Sequence, residues 1–136
     1  MKQQSTTFLI LLIALFHATS HTQVKTGADF LFEKYFHLID GKKVGLVTNH
    51  SALLSNGAVF RHPVQREKHL ADALFEDKRT QLVALFGPEH GIRGDAPDGK
   101  SIAHGADAKT GVPTYSLYGT TYKPTDEMLE GIEVLM

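Results

Sequence analysis

Two short apolar runs, Lys43-Val44-Gly45-Leu46-Val47-Thr48 and Gln81-Leu82-Val83-Ala84-Leu85-Phe86, constrain the fold of this chain more than any other feature. Each is bounded by turn or polar residues, is partly β-branched and lacks polar alternation, so each reads as a strand buried on both faces. Between them, Pro63 suits the first turn of a helix, and Val64, Leu70, Ala73 and Leu74 supply its apolar stripe through Phe75. Strand, helix and strand in that order predict a right-handed βαβ unit with parallel strands, and hence an α/β fold.

The flanking segments extend that pattern. Upstream, Phe30, Leu31, Tyr35 and Leu38 recur at helical spacing and predict a short amphipathic helix from Gly27, ended by Asp40-Gly41. Residues 52–62, with the turn signal Ser55-Asn56-Gly57, read as a loop. Downstream, Val112–Gly119 reads as a third strand or its approach. Pro124–Leu129 begins a helix with acids in its first turn, and Glu133–Met136 starts a fourth apolar strand. A sheet is not expected to stop one turn into a strand. The reading is therefore of an incomplete domain, 21–136, that would continue past Met136.

The first twenty residues read separately. One cation and the run Phe8–Phe16 have the size of a signal-peptide core, too short to span a bilayer comfortably. Ala18 and Ser20 suit cleavage after Ser20, leaving a mature chain that begins at His21. Residues 1–20 are thus expected to be a signal peptide, the protein exported to a periplasmic or extracellular location, and no stable membrane insertion to follow cleavage. With no cysteine, an exported domain would rely on its core. Lys and Arg total 14 against 15 Asp and Glu, a net charge of −1, which gives no electrostatic reason to expect a nucleic-acid partner.

Chemistry concentrates in Phe86-Gly87-Pro88-Glu89-His90-Gly91-Ile92-Arg93-Gly94, immediately after the second strand. In open α/β sheets ligands bind beyond the carboxyl ends of strands, where this loop would lie. Asn49, His50 and Ser51 follow the first strand in the same way. Three chemistries are open to these residues. Metal-assisted hydrolysis would use His50 and His90 with Glu89 or Asp95, but no HExxH-type pair is present. Nucleotide binding lacks both GxGxxG and GxxxxGK[ST]. Acid/base or covalent work on a glycosidic bond would centre on Glu89, with Asp95, Asp98 or Asp107 as a second carboxylate. For Glu89, pairing with Arg93 would favour the charged form, and an apolar wall of Phe86 and Ile92 the neutral one.

The succession Val44–His50, Phe86–Asp95, Thr110–Gly119 and Lys123–Leu129 resembles the exo-acting β-N-acetylmuramidase family of bacterial envelope glycoside hydrolases. The resemblance runs from about Gly41 to Met136. It implies a Rossmann-like parallel sheet with flanking helices, followed in the family by a smaller domain, with the active site in the cleft between the two. It implies removal of terminal N-acetylmuramic acid from the non-reducing end of peptidoglycan fragments in cell-wall turnover, with a muropeptide or related sugar as substrate and no cofactor. By motif, Glu89 and His90 take catalytic places, while Asn49, His50, Arg93 and Asp95 take substrate-binding ones. Tyr115, Ser116 and Tyr118 match a motif that packing explains as well as sugar contact. The alternatives are a non-catalytic envelope protein that binds peptidoglycan sugars, and a metal-dependent hydrolase.

Overall fold

The computed structural model describes residues 25–55, 68–94 and 104–136. The expected leader, Asn56-Gly57, Pro63, Val64, Asp95 and Asp98 lie outside the described residues. Seven strands are present among these: β1 (Lys43–Val47), β2 (Leu53–Leu54), β3 (Lys68–His69), β4 (Gln81–Gly87), β5 (Gly105–Ala106), β6 (Pro113–Ser116) and β7 (Val134–Leu135). The main sheet has the order β5-β6-β4-β1-β7, and β2 pairs separately with β3. Within the main sheet β6, β4, β1 and β7 are parallel neighbours, and β5 closes one edge antiparallel to β6. Read along the sheet, the parallel strands are third, second, first and fourth in the chain. That is the order of a Rossmann half-sheet, whose direction of winding reverses beside its first strand.

The expected α/β fold is therefore present, and the two runs that predicted it form its centre. Val44, Leu46, Leu82 and Leu85 are buried and share a core cluster with Leu70, Ala71 and Leu74 from helix α2 (Leu70–Glu76), while Phe86 is buried apart from that cluster. A short antiparallel pairing intervenes where the sequence suggested continuous helix. Leu53 and Leu54 pair with His69 and Lys68, and only after His69 does the chain turn helical. His69 caps α2 by accepting a hydrogen bond from the Ala71 amide at its Nδ1, so the helix starts at Leu70. Its stripe ends a residue early, since Phe75 is 44% exposed.

The first helical segment corrects the sequence reading more sharply. Thr26 and Asp29 form a capping box that opens helix α1 (Gly27–Phe30), and the chain then passes through a π turn (Leu31–Tyr35) and a 3₁₀ turn (Phe36–Leu38). A π turn adds a residue to the local repeat, which advances the inward face by one position. Phe36 and Ile39 are consequently buried at 6% and 2% exposure, while the expected Tyr35 and Leu38 stand at 52% and 59%. Near the carboxyl end, the expected helix after Pro124 is a single 3₁₀ turn (Glu127–Leu129) leading to β7. Among the described residues, no helix is long and apolar enough to cross a membrane.

Candidate active site

Three adjacent parallel strands deliver their carboxyl ends to one place. β1 ends in Thr48-Asn49-His50, β4 in Pro88–Gly94 and β6 in Leu117-Tyr118. Main-chain bonds fix the three exits: the Thr48 amide donates to the Phe86 carbonyl at 2.9 Å, and the Leu117 amide to the Gly87 carbonyl at 2.8 Å. Behind them Phe86 stacks on Tyr115, with ring centroids 5.4 Å apart. Tyr115 thus packs, and Phe86, fully buried, belongs to the core rather than to a wall of the site.

The loop after β4 turns at once. The Gly91 amide donates to the Pro88 carbonyl at 3.0 Å, closing a turn whose two central residues are Glu89 and His90. His90 has φ of +70°, the left-handed value that a type II turn needs at this position and that glycine usually supplies. Gly91 and Gly94 follow with φ of +73° and +79°. Gly87 allows the loop to fold back on its strand, because a Cβ there would lie 3.3 Å from the Gly91 Cα. The result is a half-buried Glu89 and His90 beyond the end of the sheet, over a buried Ile92.

Arg93 does not turn toward Glu89 to make the pairing suggested by the sequence. Its Nε and Nη2 take the two oxygens of Asp107 at 2.9 and 2.8 Å, and Nη2 also reaches Asp72 at 2.9 Å. Asp72, on the first turn of α2, is bonded in addition by Lys109. Asp107 accepts from the Thr110 amide and hydroxyl at 2.9 and 2.7 Å. Both carboxylates are buried, with 3% and 7% exposure. The Arg93 fork holds the Asp107 carboxyl far below the usual carboxylate range, against burial that opposes it. For Asp72 burial is the largest influence and acts upward, but the bonds from Arg93 and Lys109 outweigh it and the carboxyl lies low. Asp107 is therefore locked in its charged form and is unsuited to donate a proton, which removes it as a second acid. The cluster ties the loop to α2 and to the 107–111 turn.

The exit of β1 is fixed from the other side. The Asn49 side-chain oxygen turns back to accept from the Ser51 amide and hydroxyl at 3.1 and 2.7 Å, an Asx turn. Its backbone carbonyl accepts from His69 Nε2 at 2.8 Å. Because His69 Nδ1 accepts from Ala71, the neutral tautomer with the proton on Nε2 satisfies both contacts, and burial pushes this imidazole below its ordinary value. His50 is exposed, and its ring lies against Gly94: a Cβ on Gly94 would stand 3.1 Å from His50 Cγ. The structure therefore puts Glu89 and His90 on one turn and His50 against Gly94 at the end of the same loop, and shows Asn49 and Arg93 engaged in holding the loops. Among the described residues, no three histidine or acidic side chains are grouped to hold a metal ion.

His69 and Asp72 join the site from outside the sequence-based set, and Tyr118, matched there only by motif, joins them. The nearby Glu89 carboxylate, as acceptor and by its charge, raises the Tyr118 phenol above its ordinary value. His69 and Asp72 carried no signal in the sequence, because histidine is not among the usual N-cap residues and the partners of Asp72 lie far along the chain.

The profile described as Exo-beta-N-acetylmuramidase NamZ, N-terminal, matches residues 44–136, from the first core strand to the end of the chain. The chain belongs to this family. Among NamZ relatives, the peptidoglycan beta-N-acetylmuramidase of Bacillus subtilis (strain 168) is 44% identical over 114 residues, covering 84% of this chain and 25% of that protein. Two crystal structures of DUF1343 family proteins from Bacteroides fragilis NCTC 9343 are similar in fold. One aligns with a TM-score of 0.63 at 43% identity, over 82% of this chain and 24% of that one. The other aligns at 0.57 and 31%, over 84% and 25%. The chain thus spans about a quarter of the length of these relatives. The NamZ match contains all three strand ends that build the site.

Proposed function

We propose that this chain carries the Glu89 half of the active site of an exo-β-N-acetylmuramidase, a glycoside hydrolase that releases terminal N-acetylmuramic acid from the non-reducing end of peptidoglycan fragments. The observation that carries the reading is the placement of Glu89. It sits on a strained, doubly anchored turn at the carboxyl end of a central strand, inside the segment matched to the NamZ family. Glycosidic hydrolysis needs a carboxylate held at a fixed position to move a proton or to attack the anomeric carbon. The turn supplies that fixity, while His90 and His50 offer hydrogen-bonding groups to a sugar beside it. Asn49 and Arg93 act in this reading by holding the two loops in place. The test is to incubate the protein with peptidoglycan fragments ending in N-acetylmuramic acid and identify products by mass spectrometry. Free N-acetylmuramic acid is expected. Cleavage at internal bonds only, or no sugar release, would contradict the proposal.

A further inference from the structure

We infer that His69 is the positioning residue for the Asn49–Ala52 turn, holding His50 where the proposed reaction takes a sugar-binding group; the inference rests on that reading of the site. The exit of β1 is itself a closed turn. The Ala52 amide donates to the Asn49 carbonyl at 3.2 Å, with His50 and Ser51 at the centre. Both ends of this turn are held by consecutive residues where α2 begins. His69 Nε2 donates to the Asn49 carbonyl at 2.8 Å, and the Leu70 amide donates to the Ala52 carbonyl at 2.8 Å. Both lone pairs of the Asn49 carbonyl are thus occupied, one by its own turn and one by the imidazole.

The same helix start also holds the other loop. Asp72 accepts from Arg93 at 2.9 Å, and Arg93 belongs to the loop that carries Glu89. The short segment His69–Asp72 therefore ties the His50 turn and the Glu89 loop to a common frame. His69 is buried, and its Nδ1 accepts from the Ala71 amide at 3.2 Å. Capping a helix needs only that acceptor, which asparagine or serine supplies with a shorter side chain. The imidazole adds a second nitrogen that reaches a different loop. A helix cap alone would leave sugar binding untouched, and the two cases separate by experiment.

Two measurements decide the matter. In the wild type, ¹⁵N NMR of the histidine rings, with His69 assigned by its loss in His69→Gln, is expected to show the neutral tautomer protonated at Nε2. A proton on Nδ1 overturns the contact, whether or not the protein proves to be a muramidase. In turnover, His69→Asn keeps an acceptor for the Ala71 amide but is too short to reach Asn49. It is expected to raise KM about tenfold while kcat stays within about twofold, because the Glu89 loop keeps its Asp107 anchor. His69→Gln, whose amide is long enough to donate to the Asn49 carbonyl, is expected to restore most of the affinity. A wild-type KM in folded His69→Asn overturns the positioning role, as does a fall in apparent kcat at constant KM, the mark of lost folded protein. If His69→Asn does not fold, a KM in His69→Gln raised about tenfold overturns it equally. Absence of muramidase activity in the wild type defeats the functional proposal instead, and the tautomer still decides the contact.

Discussion

At the scale of single residues, His90 is the informative one. A left-handed backbone costs a residue with a Cβ roughly 1–2 kcal/mol relative to its relaxed conformation, and glycine avoids that cost. The chain uses glycine at Gly91 and Gly94 for the same sign of φ but keeps an imidazole at His90. Strain retained beside a candidate catalytic carboxylate points to a use for the side chain. His90→Gly is therefore expected to match or exceed the wild-type thermal midpoint while losing sugar release. A clear drop in the midpoint would show that the imidazole serves folding instead. Glu89 and His90 were legible in the sequence because an acid and an imidazole stand among glycines after an apolar strand. The strain was not, since histidine carries no mark of its φ. Tyr118 was recognisable only as part of a motif, because its nearness to Glu89 depends on the register between β4 and β6.

Arg93 governs the scale of elements, joining the loop after β4 to α2 through Asp72 and to the 107–111 turn through Asp107. Removing a cation from between two buried carboxylates leaves charge uncompensated, a change that typically costs about 3–5 kcal/mol. Arg93→Ala is expected to destabilise by about 3 kcal/mol in urea unfolding, and Arg93→Lys to recover only part of that, since an ammonium cannot make the side-on fork to Asp107. A loss in Arg93→Ala below about 1 kcal/mol, the range of an exposed pair, would mean that the cluster does not hold the loop. The arginine was visible in the sequence, but its partners were not. They lie 14 and 21 residues away, brought close by the sheet. Elements with strong local signals, β1 and β4 above all, emerged where expected. The helices shifted for local reasons that hydrophobic spacing does not encode: the π turn advances the buried face to Phe36 and Ile39, and the His69 cap delays α2 to Leu70.

Over the whole molecule, the buried titratable groups set how stability depends on pH. Asp29, Asp72 and Asp107 all lie below the ordinary carboxyl value of 3.8 in the fold. For Asp29 burial is the largest influence and acts upward, but four bonds from Ser55 and Thr26 outweigh it. The stability these carboxylates contribute is complete above 3.8 and is lost as pH falls toward their folded values. His69 also lies below its ordinary 6.5, chiefly through burial. Its neutral form stabilises the fold above 6.5, and that contribution declines as pH falls below it. Urea midpoints measured from pH 8 to pH 3 are thus expected to fall in two stages, and His69→Gln to remove the upper one. A midpoint that rises between pH 7 and pH 5 would contradict the assignment. The parallel α/β architecture was legible from the two apolar runs. The strand order was not, because placing β7 beside β1 rather than β6 is a long-range choice with no local signature.

The measurement closest to the central claim is sugar release by Glu89→Gln, which keeps the size and hydrogen-bonding capacity of the side chain and removes only its acid/base and nucleophilic chemistry. On a fragment ending in N-acetylmuramic acid, the variant should retain the wild-type thermal midpoint and lose at least about 100-fold in kcat, the scale of a positioned acid or base. Wild-type turnover in a folded Glu89→Gln protein would contradict the account.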